Sequence, residues 1–275
     1  MTAPTRIALT GASGLLGTWL RRTAPEGSSL TSFAHRTVLP GAEQVDLRDR
    51  EATVAAVVRA SPEVVVHAAY ALDEASIVDA TRHVAEGADA AGAALVLIST
   101  DAVFDGDGRT RAEDDQPDPI WDYGRWKAAA EERVRTGPAG WAIVRLPLLV
   151  SLDPLDHVTS RIQASTADGG STWFHDELRQ PADAREVAEA LWELIAFGPA
   201  DRQGCWHLPG PELLSRFEIA RRTARAIGLD PMLIRPEATP ADAHRPRALV
   251  LGDDRARRAI GWAPSPVFAG GSPGT

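Results

Sequence analysis

Arg6-Ile7-Ala8-Leu9-Thr10 is a short apolar run, and Gly11-Ala12-Ser13-Gly14-Leu15-Leu16-Gly17 follows it at once. Thr18-Trp19-Leu20-Arg21-Arg22 then has helix-forming character. The order is strand, glycine-rich turn, helix. Gly11 lets the chain turn sharply off the strand. Gly14 lets the backbone approach a pyrophosphate with no Cβ in the way, and Gly17 lets the helix lie close on the sheet. The N-terminus of the new helix favours an anion through its free N–H groups and its dipole. The spacing is G-x-x-G-x-x-G rather than G-x-G-x-x-G. A glycine triplet by itself also fits a tight turn with no ligand. The strand before it and the helix after it turn the reading toward a nucleotide.

The end of the next strand bears on which nucleotide. Ser29 to Ala34 reads as that strand. An acidic residue at its end would hold the ribose 2′-hydroxyl of NAD. Here the end is uncharged, and His35-Arg36 follows. A cationic pair attracts a 2′-phosphate and favours NADP, with NAD the alternative; a solvated basic loop accounts for the same two residues equally well.

Further along, Gln44-Val45-Asp46-Leu47 reads as a third strand and residues 49 to 60 as a helix with Val54, Val57 and Val58 on one face. Pro62 to Ala69, Ala94 to Thr100 and Trp141 to Leu146 read as strands, the first two continuously apolar as in a sheet buried on both faces. Helices are expected over 74 to 91 and 120 to 136. Six strands alternating with helices predict an α/β fold, a doubly wound parallel sheet with right-handed crossovers. The ligand then sits beyond the carboxyl ends of the strands, where Gly11, Ala68, Thr100 and Pro147 all fall.

The expected organisation is a dinucleotide-binding domain over residues 1–150 and a smaller substrate-binding lobe over 151–268, partly interleaved with it. Helices are expected near 156 to 166, 184 to 197, 215 to 227 and 253 to 260, with a short strand at Cys205 to Leu208. The Gly/Pro/Ser-rich stretch 269–275 reads as a flexible tail.

Composition excludes several classes. A net charge of -9 argues against a general grip on nucleic acid. One cysteine, Cys205, allows no disulfide within the chain, suits a reducing compartment, and reads as a buried, inert thiol. No basic region leads into an apolar stretch at the start, and no run of about 18 apolar residues occurs. The expectation is a cytoplasmic protein without a membrane span. The seven histidines show no ligand spacing, so no metal is expected. No G-x-S-x-G elbow is present, which leaves Ser-His-Asp hydrolysis unsupported. Glu113-Asp114-Asp115 and Glu131-Glu132 read as solvated faces. Trp121, Trp126, Trp173 and Trp206 read as core packing before they read as an aromatic wall for a sugar or a base.

Two polar elements remain. Ser99-Thr100-Asp101 ends one buried strand, and Tyr123-Gly124-Arg125-Trp126-Lys127 opens the next helix. Tyr and Lys four apart share a helical face. A nearby ammonium is expected to lower the phenol pKa, fitting Tyr123 to protonate a carbonyl oxygen that receives hydride, with the Thr100 hydroxyl bonded to the same oxygen. Lys127 could also hold a nicotinamide ribose. Taken without its surroundings, such a pair is an ordinary helix-surface contact.

Thr10 to Gly17, Asp46-Leu47, His67-Ala68-Ala69, Ser99 to Gly106 and Tyr123 to Lys127 together resemble an extended short-chain dehydrogenase/reductase. Ser-Thr-Asp-Ala-Val-Phe-Asp-Gly is the most specific of these, and it is similar to the dTDP-4-dehydrorhamnose reductase branch. Asp176 to Pro181, Gly204 to Leu208 and Arg245-Pro246 are similar to the second lobe of that branch. The resemblance implies a Rossmann-type fold and a Thr100/Tyr123/Lys127 catalytic set. It implies a dinucleotide lined by Gly11, Ser13, Gly14, Leu15, Leu16, His35, Arg36, Asp46, Leu47, Ala68, Ala69, Tyr123, Lys127 and Pro147, and substrate contacts from Asp101, Val103 and Phe104. The implied activity is NAD(P)H-dependent reduction of a keto group on a sugar nucleotide or related small metabolite. A homodimer is compatible with it.

Alternatives are a sugar epimerase, and a non-catalytic dinucleotide-binding subunit like the regulatory one of methionine adenosyltransferase. Two departures stand out. His67 occupies a position where Asn is common, and Tyr70 to Glu74 lacks the branch's usual polar pattern, so the substrate need not be the usual sugar nucleotide. Ala102 stands where the family's dehydratases carry Glu, against a dehydratase.

Overall fold

The computed structural model describes residues 6–165 and 169–268. The tail expected over 269–275 lies outside the described residues.

In chain order the first part runs β1 (Arg6–Thr10), α1 (Leu15–Arg22), β2 (Ser29–Ala34), β3 (Ala42–Gln44), α2 (Arg50–Ala60), β4 (Val64–His67), a π-helical turn (Ala75–Asp79), α3 (Ala80–Ala90), β5 (Ala94–Thr100), a 3-10 turn (Asp101–Val103), β6 (Asp107–Arg111), α4 (Asp122–Arg135) and β7 (Ala142–Leu146). The chain continues through β8 (Leu149–Val150), α5 (His157–Ser165), β9 (Ser171–Phe174), β10 (Leu178–Arg179), β11 (Ala182–Asp183), α6 (Ala184–Ile195), α7 (Pro199–Arg202) and β12 (Gly204–His207). It ends with β13 (Leu214–Ser215), α8 (Arg216–Ala226), β14 (Ile234–Glu237), β15 (Ala248–Leu251) and α9 (Asp254–Ile260).

Seven strands form one parallel sheet in the order β12-β7-β5-β4-β1-β2-β3. Successive side chains of a strand point to opposite faces, and here both faces are apolar. Ile7, Leu9, Val64, Val66, Val96 and Ile98 face α1 and α6, while Ala8, Val65, Leu95 and Leu97 face α2, α3 and α4. This is the doubly wound Rossmann-type arrangement, and it accounts for strands with no polar alternation. The seventh strand, β12, comes from beyond residue 150 and pairs with β7 through Cys205↔Ile143 and Trp206↔Val144. A separate four-stranded sheet runs β13-β10-β15-β6, joining β6 of the first part to three later strands, and Val158, Ile162, Trp173, Ile219 and Ile234 form a further core.

The structure shifts three expected elements. β3 covers Ala42–Gln44 instead of running to Leu47: the Val45 N–H makes the last bond to β2, at the Ala34 carbonyl, and the Val45 side chain is buried in the core. Thr53, Ala56 and Val57 are the buried face of α2, and Val58 is exposed. The long helix expected over 74 to 91 opens with the π-helical turn. Among the described residues no helix is long and apolar enough to cross a membrane.

Candidate active site

The carboxyl ends of β1, β4 and β5 lie side by side, since β4 pairs with both neighbours in parallel. The glycine turn leaves β1 with Gly11 at φ +72°. Gly17 is where the helix meets that turn: a Cβ there would fall 2.1 Å from the Gly11 carbonyl oxygen. Gly14 starts α1 in extended backbone with no side-chain cap, so the first N–H groups of α1 face outward. Ser13 and Gly14 are exposed and Leu15 is half-buried. Leu16 packs its side chain into the core and offers only its backbone.

At the rim, His35 and Arg36 are exposed just past β2. His35 Nε2 is 3.6 Å from Asp46 Oδ2, and Arg48 grips the Asp46 carboxylate at 2.9 and 2.7 Å. The Arg48 hydrogen bonds bring the Asp46 pKa down to about 2. Arg48 also stands at this rim, and the sequence motif does not include it.

The end of β5 carries the reactive candidates. Thr100 donates to Asp101 Oδ1 at 3.1 Å and accepts from the Ala102 N–H at 3.2 Å. Asp101 is buried, and among the described residues its Oδ2 has no hydrogen-bond partner. Burial pushes its pKa up to about 6 against the pull of Arg179. Helix α4 brings Tyr123 and Lys127 to this end. Its close approach depends on Gly124, where a Cβ would fall 2.2 Å from the Ala102 carbonyl oxygen. Trp121 braces the same carbonyl, its Nε1 donating at 3.3 Å. Lys127 is buried and donates to the Ile98 carbonyl at 3.1 Å. Tyr70 leans over the pair, its ring centroid 6.1 Å from that of Tyr123 and 5.0 Å from Lys127 Nζ.

Just before β10, Glu177 is wholly buried and anchors three arginines. Arg245 binds it at 2.5 and 3.1 Å, Arg179 stands at 3.6 Å and Arg216 at 3.9 Å. Arg179 is satisfied by the Leu178 and Pro246 carbonyls. The Arg216 guanidinium makes no hydrogen bond among the described residues, and burial and then Arg179 bring its pKa down to about 10.

Residues 5–267 match the RmlD substrate binding domain. The chain belongs to that family. It is 31% identical over 271 residues to a dTDP-4-dehydrorhamnose reductase of Mycolicibacterium smegmatis, covering 92% of this chain and 80% of that one. It is 30% identical over 270 residues to the methionine adenosyltransferase 2 subunit beta of Bos taurus, covering 91% and 81%. In fold it is similar to the Bacillus anthracis dTDP-4-dehydrorhamnose reductase, with a TM-score of 0.82 at 23% identity over 96% of this chain and 95% of that one. The resemblance to the dTDP-4-dehydrorhamnose reductase branch of the extended short-chain dehydrogenases/reductases therefore holds.

Several expectations for these residues need correction. The phenol of Tyr123 is raised above its ordinary value, not lowered: burial dominates, Tyr70 adds to it, and Thr100 only partly opposes. Lys127 does not counter this, because its ammonium is bonded to Ile98 and is itself brought down to about 8 by burial. Val103 and Phe104, expected at the substrate, are core side chains packed with Leu249 and Leu251. The 3-10 turn carries them under the sheet edge, where Phe104 lies between Arg111 and Arg145, each 4.9 Å from its ring. Pro147 is also buried.

Glu131, read as a solvated face, is wholly buried and joins Ser99, Arg145 and Arg135. Of the four tryptophans, Trp121 stands beside Tyr123 at 5.4 Å, Trp173 and Trp206 are buried, and Trp126 packs against the core. Cys205 is buried, and burial pushes its thiol up.

The sequence motifs assign no role to Gly124, which lies inside the Tyr123 to Lys127 stretch, and do not single out Arg48 or Arg216. Arg216 had a legible signal. Ser215 caps α8 by accepting the Glu218 N–H, which puts Arg216 in the first helical turn, where the helix dipole disfavours a cation. A charge placed against the dipole points to a use other than helix stability.

Asp101 makes a pH prediction. Its folded pKa of about 6 lies above the ordinary 3.8. The stability it contributes is present below the unfolded value and is lost as pH rises through 6, by at most about 3 kcal/mol. Asp101→Asn should therefore gain more thermal stability relative to wild type at pH 8 than at pH 5. Equal differences at the two pH values would refute the assignment.

Proposed function

We propose that this chain is an NADPH-dependent reductase of a keto group on a nucleotide-linked sugar, with NAD(H) the lesser alternative. The observation that carries the reading is the gathering of Thr100, Tyr123 and Lys127 at the end of β5, two strands from a glycine turn that only glycine can form. The turn fits a pyrophosphate, and His35 and Arg36 just past β2 fit a 2′-phosphate. The B. anthracis relative is described in complex with NADP, and other structures of this fold with NAD.

A nicotinamide dinucleotide held on the glycine turn would supply hydride. Tyr123 keeps its proton at neutral pH because burial raises its pKa, so it is available as the acid for the oxygen that receives hydride. Thr100 holds the same oxygen once its hydroxyl turns from Asp101. Lys127 takes the ribose side of the site. The Asp101 carboxyl accepts a sugar hydroxyl, and Arg216 takes an anionic oxygen of the nucleotide.

The test is NADPH consumption with nucleotide-linked 4-keto sugars. Arg216→Gln should raise the KM for such a substrate roughly 10- to 100-fold, the range of a charge-assisted hydrogen bond, and leave the KM for NADPH unchanged. An equal effect on both constants would count against the assignment.

A second reading is favoured by the Bos taurus relative, a methionine adenosyltransferase subunit. A stable complex with a methionine adenosyltransferase from the same cells, together with no NADPH oxidation by any keto sugar nucleotide, would decide for it.

A further inference from the structure

Four hydrogen bonds in series cross the ends of β1 and β4 and enter the helix beyond. The Ala69 N–H meets Thr10 Oγ1 at 3.4 Å, Thr10 Oγ1 meets His67 Nδ1 at 2.7 Å, His67 Nε2 meets Thr81 Oγ1 at 3.1 Å, and Thr81 donates to the Ile77 carbonyl at 2.6 Å. The last bond fixes the direction of the others. The Thr81 proton is committed to Ile77, so His67 Nε2 must be the donor to Thr81. A neutral imidazole has a single N–H, so Nδ1 is an acceptor and takes the proton of Thr10. The Thr10 oxygen is left to accept from Ala69. Every donor is used once, in one direction, from β4 to the π-helical turn. His67 is 1% exposed. Burial and the charge of Lys127 bring its pKa down to about 3, so it stays neutral throughout the working range.

The far end of this series touches the site. A Cβ on Gly11 would fall 2.6 Å from Ala69 N and 2.7 Å from Ala68 C, so the Ala68–Ala69 peptide lies directly on the glycine turn. Tyr70 follows and leans over Tyr123 and Lys127. A shift of Ala69 would move the wall shared by the turn and the Tyr/Lys pair. At the other end, Ile77 sits inside the π-helical turn Ala75–Asp79, an irregular element that the side chain of Thr81 ties back to the sheet.

We propose that His67 is a positioning residue: its Nε2–H imidazole sets the Ala68–Ala69 segment against the glycine turn and so shapes the cleft for the dinucleotide. The proposal rests on the cofactor reading above. It also explains why a histidine can stand at this position without taking part in proton transfer, since both ring nitrogens are engaged by core hydroxyls.

The experiment is direct titration of NADPH into the wild-type chain and two variants. His67→Phe keeps ring volume and removes both polar atoms. It should raise the Kd for NADPH about tenfold. His67→Gln, whose amide offers one acceptor and one donor, should recover most of that loss. An unchanged Kd in His67→Phe, with only thermal stability lowered, would overturn the proposal, as would a failure of Gln to do better than Phe. Should His67→Phe fail to fold, the imidazole nitrogen shifts of the wild-type protein still decide: a protonated Nε2 with a bare Nδ1 is required, and the opposite tautomer or a cation overturns the series. Because Kd is read without turnover, a chain that binds NADPH and reduces nothing would sink the reductase reading and leave this one standing.

Discussion

Tyr123→Phe should lower turnover by roughly 10²- to 10⁴-fold, the usual worth of a positioned general acid, while NADPH binds as before. The expectation follows from what the hydroxyl can and cannot do where it stands. Burial keeps the phenol protonated, so it cannot act as a base toward a resting substrate. It can release its proton only to an oxygen whose basicity rises sharply, as a carbonyl oxygen does when hydride reaches the adjoining carbon. Phenylalanine keeps the ring, and with it the contacts to Tyr70 at 6.1 Å and Trp121 at 5.4 Å. The cleft should therefore stay intact, and the loss should fall on kcat. Single-turnover rates and a separate NADPH titration make the distinction. A variant that turns over at the wild-type rate would remove Tyr123 from the acid role.

Arg145→Met should cost about 3–5 kcal/mol of stability, the range seen when one partner of a buried ion pair is removed. Arg145 and Glu131 are wholly buried and meet at 3.0 and 2.8 Å, and Ser99 adds a bond of 2.6 Å to the same carboxylate. Without Arg145 the buried carboxylate retains, among the described residues, Arg135 and the Ser99 hydroxyl as hydrogen-bond partners. For a chain of this size the loss amounts to a fall in melting temperature on the order of 10 °C. Arg145→Met combined with Glu131→Leu should recover much of it, because an apolar pair leaves no buried charge. Thermal and denaturant unfolding of the single and double variants are the measurements. A double variant no better than the single would show that the carboxylate is not the source of the cost.

The fold was legible where local chemistry and tertiary structure agree. β1, the glycine turn and α1 fall where the glycines place them, and β4 and β5 are apolar because both faces are covered. Legibility failed where a distant residue decides. Glu131 looks like half of a solvated acidic pair until β7 brings Arg145 against it. Val45 looks like the middle of a strand, yet pairing with β2 ends at its N–H. Tyr123 and Lys127 share a helical face as their spacing requires. The spacing could not reveal that a carbonyl of β5 and the ring of Tyr70 would engage the ammonium. Val103 and Phe104 carry the right motif, but at the 3-10 turn and just after it their side chains enter a core with Leu249 and Leu251. Arg216 came from no motif at all, and only its position against a helix dipole marked it.

The late arrival of β12 bears on how this chain is made. During synthesis β7 is complete at Leu146, yet its outer edge stays unpaired until Gly204–His207 has been added. Between those points the ribosome must deliver β8 to α7, including α6, which covers α1. An apolar strand edge that waits so long is prone to pair with other chains. The large sheet thus cannot be completed before His207 has been added, and a truncation near residue 150 would leave an adhesive edge on β7 rather than a finished sheet.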